Sequence, residues 1–230
     1  MHPLQRKRAN ERIECRQRTL VAIETGTKRV FASALDWPGW CRAGKTEQLA
    51  LEALLAYARR YAVAPAGAHI GFPKSKLEVV ERLPGDATTD FGAPSAQAKM
   101  EAQPMSRAEV GRMCALVEAC WAELDKVVKA APAELRKGPR GGGRDRDKIV
   151  DHVLAAECGY APKLGLKLVE PPRGDRAAIA AHRQALLDAF RKGADGKPVR
   201  EGGRTARYWA RRIAWHAMDH AWEIEDRTEG

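Results

Sequence analysis

Two histidines stand four residues apart near the C-terminal end of the sequence, in the stretch WHAMDHAWEIED of residues 215–226. On a helix, this spacing places His216 and His220 one above the other on the same face. Such a pair is typical of metal sites built on helices, where a further ligand comes from another element. It is also typical of a packed helix whose histidines are hydrogen-bonded to protein groups.

The surrounding sequence predicts that both histidines point into the protein. They belong to a stripe with the spacing of one buried helical face, formed by Trp209, Ile213, His216, His220 and Ile224. The charged residues of this helix fall outside the stripe: Arg211, Arg212, Asp219 and Glu225. Burying two imidazoles is costly unless each ring nitrogen finds a partner. The stripe therefore requires either a metal ion or protein hydrogen-bond partners.

A third histidine has the same inward position on another predicted helix. His152 lies on the apolar side of the sequence KIVDHVLAAE. Histidines on the inward stripes of two helices can meet in the middle of a bundle, where such folds build metal sites. For any one histidine alone, a hydrogen bond to a carbonyl or carboxylate is the favoured alternative. Together, His152, His216 and His220 are the candidate metal ligands.

Other residues suited to metal binding are less well placed. His2 lies in the N-terminal tail, His69 beside a predicted loop, and His182 among small and polar neighbours. His182 would approach the site only if its helix turned that way. None of the five cysteines has Cys-x-x-Cys spacing, and Cys158 lies roughly 120° around the helix from His152.

Four carboxylates lie close in sequence to the candidate ligands: Asp151, Glu157, Asp219 and Glu223. A carboxylate that accepts a hydrogen bond from the second ring nitrogen orients a metal-binding imidazole. One of the four could have this role. For Asp219 and Glu223, a solvated helix face is the preferred interpretation. The tryptophans of the last helix are expected to fill the core.

Hydrophobic periodicity predicts the helical scaffold that these histidines need. Ser106 opens a capping box at the start of a first helix, and Asp145 and Asp175 can cap a second and a third. The fourth helix begins at about Thr205. Four amphipathic helices joined by loops predict a four-helix bundle.

The first hundred residues have a different character. Alternating apolar and polar residues predict a hairpin, with one strand at 19–26 and a second through Val30 to Ala34. Thr46 then caps a helix rich in Ala and Leu. Residues 76–83 form a further predicted strand.

The expected fold class is therefore α+β, with a small β-rich α/β domain followed by an all-α bundle. The predicted boundaries are a basic tail at 1–18, the first domain at 19–92, a linker of small and turn-forming residues at 93–105, and the bundle at 106–230.

The histidine pattern resembles that of the DinB-like (damage-inducible) family of four-helix bundles, over residues 106–226. That family has one histidine on its second helix and His-x-x-x-His on its last, which match His152, His216 and His220. The resemblance implies a divalent metal, zinc or nickel. It also implies a low-molecular-weight thiol as cofactor, because the family includes mycothiol- and bacillithiol-dependent transferases.

Residues 19–92 resemble the small HicB-like partial RNase H fold. The resemblance rests on the two strands, on the turn residues Pro38, Gly39, Trp40, Gly44 and Thr46, and on the helix rich in Ala and Leu that follows. HicB antitoxins normally continue into a DNA-binding segment, whereas this chain continues into the predicted bundle. An antitoxin role is therefore not expected.

Composition limits the other classes of function. The net charge is +10, of which the first 18 residues contribute +4 through six basic and two acidic residues, and the remaining +6 is spread over the rest of the chain without a dense block. This tail could improve solubility or contact nucleic acid. No apolar run has the ~18 residues of a membrane span, and the N-terminus lacks the apolar segment of a secretory signal. Five cysteines without framework spacing are typical of free thiols, so we expect a cytoplasmic protein without a membrane partner.

These observations leave three functional hypotheses. The first is a metal-dependent thiol transferase or hydrolase that acts on a small-molecule substrate. The second is a non-catalytic binding module, whose HicB-like domain docks a protein or nucleic-acid partner. The third is nucleic-acid binding through the basic tail, which is less favoured because its basic residues are not interleaved with aromatic ones.

Overall fold

A four-stranded sheet forms the N-terminal part of the chain in the computed structural model, which describes residues 18–72, 76–138 and 142–228. The strands are β1 (Arg18–Thr25), β2 (Val30–Ala34), β3 (Cys41–Gly44) and β4 (Lys76–Pro84). Their order is β3-β2-β1-β4, with β1–β2 and β2–β3 antiparallel and β4 parallel to β1. The predicted hairpin and the strand near 76–83 are confirmed. The predicted basic tail and His2 lie outside the described residues, apart from Arg18.

Strand β3 was not predicted from the sequence. Its four residues, Cys-Arg-Ala-Gly, include none of the β-branched or aromatic types that favour strands. Pairing with β2 forms it instead, from Ser33 opposite Cys41 to Val30 opposite Gly44. Tertiary context therefore overrides a weak local preference.

Three short helices connect β3 to β4, because parallel strands need a crossover connection. They are α1 (Glu47–Ala56), α2 (Ala58–Tyr61) and α3 (Val63–Gly67). Thr46 caps α1 as predicted, since its hydroxyl accepts a hydrogen bond from the Leu49 amide at 3.2 Å. Leu54 of α1 is fully buried in the same hydrophobic core as Val21 and Ile23 of β1.

The connection between the two halves of the chain is folded. It contains α4 (Ala87–Phe91), whose cap Asp86 forms a capping box with Thr89, and a 3₁₀ helix at Lys99–Ala102. Glu101 is fully buried, and its carbonyl accepts a hydrogen bond from the Thr205 hydroxyl at 2.8 Å. The boundary at 93–105 stays a prediction, but part of this segment packs against the C-terminal half.

Four long helices follow: α5 (Arg107–Ala130), α6 (Arg146–Tyr160), α7 (Arg176–Lys192) and α8 (Ala206–Thr228). Ser106 and Asp175 cap α5 and α7 through their side chains, as predicted. Asp145 precedes α6, but its carboxylate accepts from the Leu135 amide and does not cap the helix. No helix among the described residues combines the length and apolar character that crossing a bilayer requires.

Contacts at the helix ends give the directions of the bundle. The Met105 amide donates to the Ala194 carbonyl, so α5 starts where α7 ends. At the opposite end, the Arg136 amide, just after α5, donates to the Arg227 carbonyl of α8. Helices α5 and α8 thus run one way and α6 and α7 the other. The connection at 161–175, which includes a 3₁₀ helix at Ala161–Leu164, returns along the bundle.

Helix α8 is buried on the side of the bundle and also on the side of the sheet. Trp215 packs edge-on against Phe31 of β2, with ring centroids 6.1 Å apart. Arg211 and Arg212 are buried as well, so their expected position outside the buried face was wrong. A single apolar stripe predicts one buried helical face, whereas the sheet covers a second face of α8.

An ion pair with Glu101 compensates the buried charge of Arg211 on the side of α8 that faces the sheet. Its Nε and Nη2 atoms donate to the two carboxylate oxygens of Glu101 at 2.5 and 3.0 Å, and both residues are almost inaccessible. Nη2 also donates to the Ala96 carbonyl at 3.0 Å. Because two-point contact with an arginine fixes both distance and angle, this pair holds α8 against the connection between the halves.

We predict that replacing Arg211 by methionine lowers the free energy of unfolding by about 3–5 kcal/mol, because Glu101 would be left buried without its partner. Arg191→Met, which breaks the exposed pair with Asp188, serves as the control and should cost less than about 1 kcal/mol. Urea denaturation measures both. Equal losses in the two variants would contradict the assigned role of the buried pair.

Candidate metal centre

The three candidate ligands lie together between α6 and α8. His216 Nε2 is 3.2 Å from His152 Nε2 and 3.1 Å from His220 Nε2. The ligand atoms of all three residues lie within 4.8 Å of one another. His216 and His220 are buried, and His152 is half-buried. The structure thus confirms that the three side chains point inwards.

A carboxylate fixes the orientation of one ring. Glu223 Oε2 is 2.8 Å from His220 Nδ1, and a carboxylate accepts hydrogen bonds, so Nδ1 carries the proton. His220 Nε2 then presents a lone pair to the cluster. The preferred interpretation of Glu223 as part of a solvated helix face was therefore wrong. Arg227 Nη1 holds the other oxygen of Glu223 at 2.8 Å.

The spacing of the nitrogens fits a single metal ion. Bonds of about 2.0–2.1 Å in tetrahedral geometry place two nitrogens about 3.3 Å apart. The two closest separations in the cluster, 3.1 and 3.2 Å, are close to this value. The side chains therefore need little movement to contact one ion.

The surroundings favour neutral rings, which is the form that binds metals. Burial lowers the pKa of His216 well below its ordinary value, with further lowering from His220 and His152. Burial also lowers the pKa of His152, with contributions from His220 and Arg144. His216 Nε2 can donate to only one of its two neighbours, so hydrogen bonding among the three rings cannot satisfy all three Nε2 atoms.

Aromatic residues flank the cluster on one side. The Tyr160 ring lies 6.5 Å from that of His216, and Trp215 lies 5.9 Å from it. Arg212 Nε donates to the Tyr160 hydroxyl at 3.5 Å. Tyr160 was not among the predicted site residues. The spacing of eight residues from His152, just over two helical turns, is the sequence signal that could have indicated it.

The remaining sequence candidates have other partners. Asp151 pairs with Arg173 at 2.9 Å, and Asp219 pairs with Arg42 at 2.8 Å. The Cys158 thiol donates to the Leu168 carbonyl at 3.1 Å. His69 follows α3 in a left-handed backbone conformation, with a φ of 55°. All of these lie outside the histidine cluster, and the four described cysteines are free thiols.

Glu157 and His182 form a separate buried pair. Glu157 Oε1 accepts a hydrogen bond from Trp121 Nε1 at 2.7 Å, while Oε2 lies 3.8 Å from His182 Nε2 and 3.7 Å from Arg183 Nε. Glu157 is 1% exposed, and burial raises its pKa to about 7. Burial and Arg183 lower the pKa of His182. Burial therefore favours the neutral form of both side chains.

Comparison of the chain with protein-family models, with curated proteins and with solved structures found no match. The class that the fold and site define is an α+β protein with a three-histidine cluster inside a four-helix bundle. The DinB-like and HicB-like resemblances stay expectations from the sequence.

We predict that Glu157 makes stability fall as pH rises. Its pKa is 4.5 in the ordinary state and about 7 when folded, so between these values the folded chain holds a proton that the unfolded chain has released. The free energy of unfolding then decreases with pH, by at most about 3 kcal/mol over this range. Glu157→Gln removes this contribution but keeps an acceptor for Trp121.

Urea denaturation at pH 5 and pH 8 measures the effect as a difference between the two proteins. His182, Arg183 and Asp125 are present in both proteins. Their contributions to the pH dependence therefore largely cancel when the Glu157→Gln values are subtracted from the wild-type values. Glu118→Gln, an exposed change on α5, should keep the wild-type dependence. An identical pH dependence in Glu157→Gln and wild type would contradict the prediction.

Proposed function

We propose that His152, His216 and His220 bind one divalent metal ion. The observation that carries this proposal is the convergence of three Nε2 atoms, with Glu223 fixing the proton of one ring. Carboxylate–histidine pairs of this kind are the usual outer contacts of metal-bound imidazoles. Three nitrogen ligands suit zinc and nickel, and these are the metals that we propose.

We further propose that the protein is a metal-dependent thiol transferase or hydrolase. Three protein ligands leave a coordination position open, and a metal bound there would lower the pKa of a bound thiol or water. The order and spacing of the histidines, which resemble the DinB-like family, support a low-molecular-weight thiol such as mycothiol or bacillithiol as cofactor. Zinc or nickel would thus be a catalytic rather than a structural component.

The residues around the cluster have defined parts in this proposal. Glu223 holds a proton on His220 Nδ1 and so directs the lone pair of Nε2 towards the metal position. Tyr160 and Trp215 flank His216 and limit the access of water from their side. Arg212, which donates to Tyr160, places a positive charge close to this wall.

The double change His216→Leu/His220→Leu tests the metal site. We expect a folded and metal-free protein, because the four helices have enough apolar residues to close without metal, unlike a zinc finger. His182→Leu, a buried histidine outside the cluster, should keep one metal ion per chain. Elemental analysis of protein purified without a histidine tag measures the metal, and circular dichroism measures the fold.

The same samples test the reaction. Metal-loaded wild type and His182→Leu should accelerate the loss of free mycothiol or bacillithiol in the presence of 1-chloro-2,4-dinitrobenzene, and the double variant should not. Stoichiometric metal in the double variant would exclude these histidines as ligands. Metal binding by the wild type without thiol-dependent turnover would leave the site but overturn the transferase proposal.

Glu223→Ala tests the outer contact. We expect metal affinity to fall about 10–100-fold, because His220 would lose the acceptor that fixes its proton. Glu225→Ala is the matched control, since Glu225 lies on the same helix but pairs with Arg60 at 2.7 Å. Competition with a chromogenic chelator measures both affinities. Equal affinities in these two variants would show that Glu223 does not support a ligand.

A further inference from the structure

A groove of about 970 Å³ lies between α5, α6 and α7. It is separate from the histidine cluster, because α6 stands between them. His152 faces α8, whereas Val150, Val153 and Leu154 of the same helix line the groove. A volume of this size is in the range of sites for small organic molecules.

The floor of the groove is apolar. It includes Trp121 and Leu124 of α5, Leu154 of α6, and Ile179 and Leu187 of α7. Charged side chains make up much of the remaining lining, so the groove combines an apolar surface with a polar one. Such a floor favours a ligand with a hydrocarbon or aromatic body.

A buried polar cluster lies beside the groove. Glu157 of α6 contacts Trp121 of α5 and lies close to His182 and Arg183 of α7. Both ring nitrogens of His182, and Arg183 Nε, are buried without a hydrogen-bond partner. Arg183 and Trp121 both line the groove and both contact Glu157.

One end of the groove is positively charged. It lies where α5 ends and where α6 and α7 begin. The groove is lined by six basic residues, Lys126, Lys129, Arg146, Arg173, Arg176 and Arg183, against three acidic ones, Glu118, Asp125 and Asp147. Among the described residues, Lys129 and Arg176 have no ion pair with a carboxylate, so these two charges are available to a ligand.

We propose that this groove binds a small amphiphilic anion, with a single hydrocarbon chain on the apolar floor and a carboxylate at the basic end. The charge excess selects against cations, and the apolar floor offers little to a wholly polar anion such as inorganic phosphate.

Calorimetric titration of the full chain with dodecanoate, below its micelle concentration, tests the proposal. We expect saturable binding of one molecule per chain, and no binding of dodecyltrimethylammonium. Lys129→Ala/Arg176→Ala should weaken binding at least tenfold. The control is Arg191→Ala/Lys192→Ala, which removes the same charge from the other end of α7, outside the groove, and should bind as the wild type does.

Two further variants separate the floor from the metal site. Ile179→Asp, at a half-buried position, should abolish binding while circular dichroism shows the native helix content. A carboxylate could also coordinate a metal, so metal-free His216→Leu/His220→Leu should bind dodecanoate with unchanged affinity. Loss of binding in that variant would show that the anion binds at the histidine cluster, and it would contradict the proposed site in the groove.

Three other outcomes overturn the proposal. They are the absence of saturable heat with dodecanoate, equal weakening in the two double-alanine variants, and equal affinity for the cationic amphiphile. Retention of the protein on vesicles of anionic lipid, without binding of free dodecanoate, would identify a membrane surface instead.

Discussion

The burial of α8 against two partners is the constraint on which the rest of the structure depends. A helix with one solvated face can place its charges there, but Arg211 and the histidine cluster of α8 both lie in the interior. Charge and imidazole groups in that position need polar partners. Glu101 supplies one on the sheet side, and His152 with Glu223 supplies the others on the bundle side.

This constraint also explains why both faces of the sheet are covered. One of its faces packs under α1, while Phe31 and Cys41 on the other lie against Trp215 of α8. The Pro-Gly-Trp turn reaches the bundle too: Gly39 has a φ of 97°, and a Cβ there would lie 2.8 Å from Cys120 Sγ. Residues of both halves therefore share a hydrophobic core. The sheet therefore packs directly against the helix that carries two of the histidines.

The sequence was informative where local chemistry decides the structure. Periodicity placed His152, His216 and His220 inwards, and short-range capping rules placed the starts of α5 and α7. It was uninformative where the partner is distant. Nothing near Arg211 indicates Glu101, which is 110 residues away, and without that pair burial of an arginine is not expected. The prediction for Glu223 was wrong for another reason. Its side chain, three residues after His220, can extend into solvent or towards that histidine, and only the side-chain conformation decides between the two.

The two polar clusters on α6 show why one suits a metal ion and the other does not. Glu157 and His182 are one acid and one base whose facing atoms are 3.8 Å apart, and burial favours the neutral form of each. The three histidines differ, because their Nε2 atoms are in direct contact and each neutral ring offers only one lone pair and one N–H. Because Glu223 takes the N–H of His220, the Nε2 atom of that ring offers a lone pair to the centre, and His216 Nε2 can hydrogen-bond only one of its two neighbours. A cation is the ligand that satisfies three converging lone pairs, whereas a proton can serve only two of them.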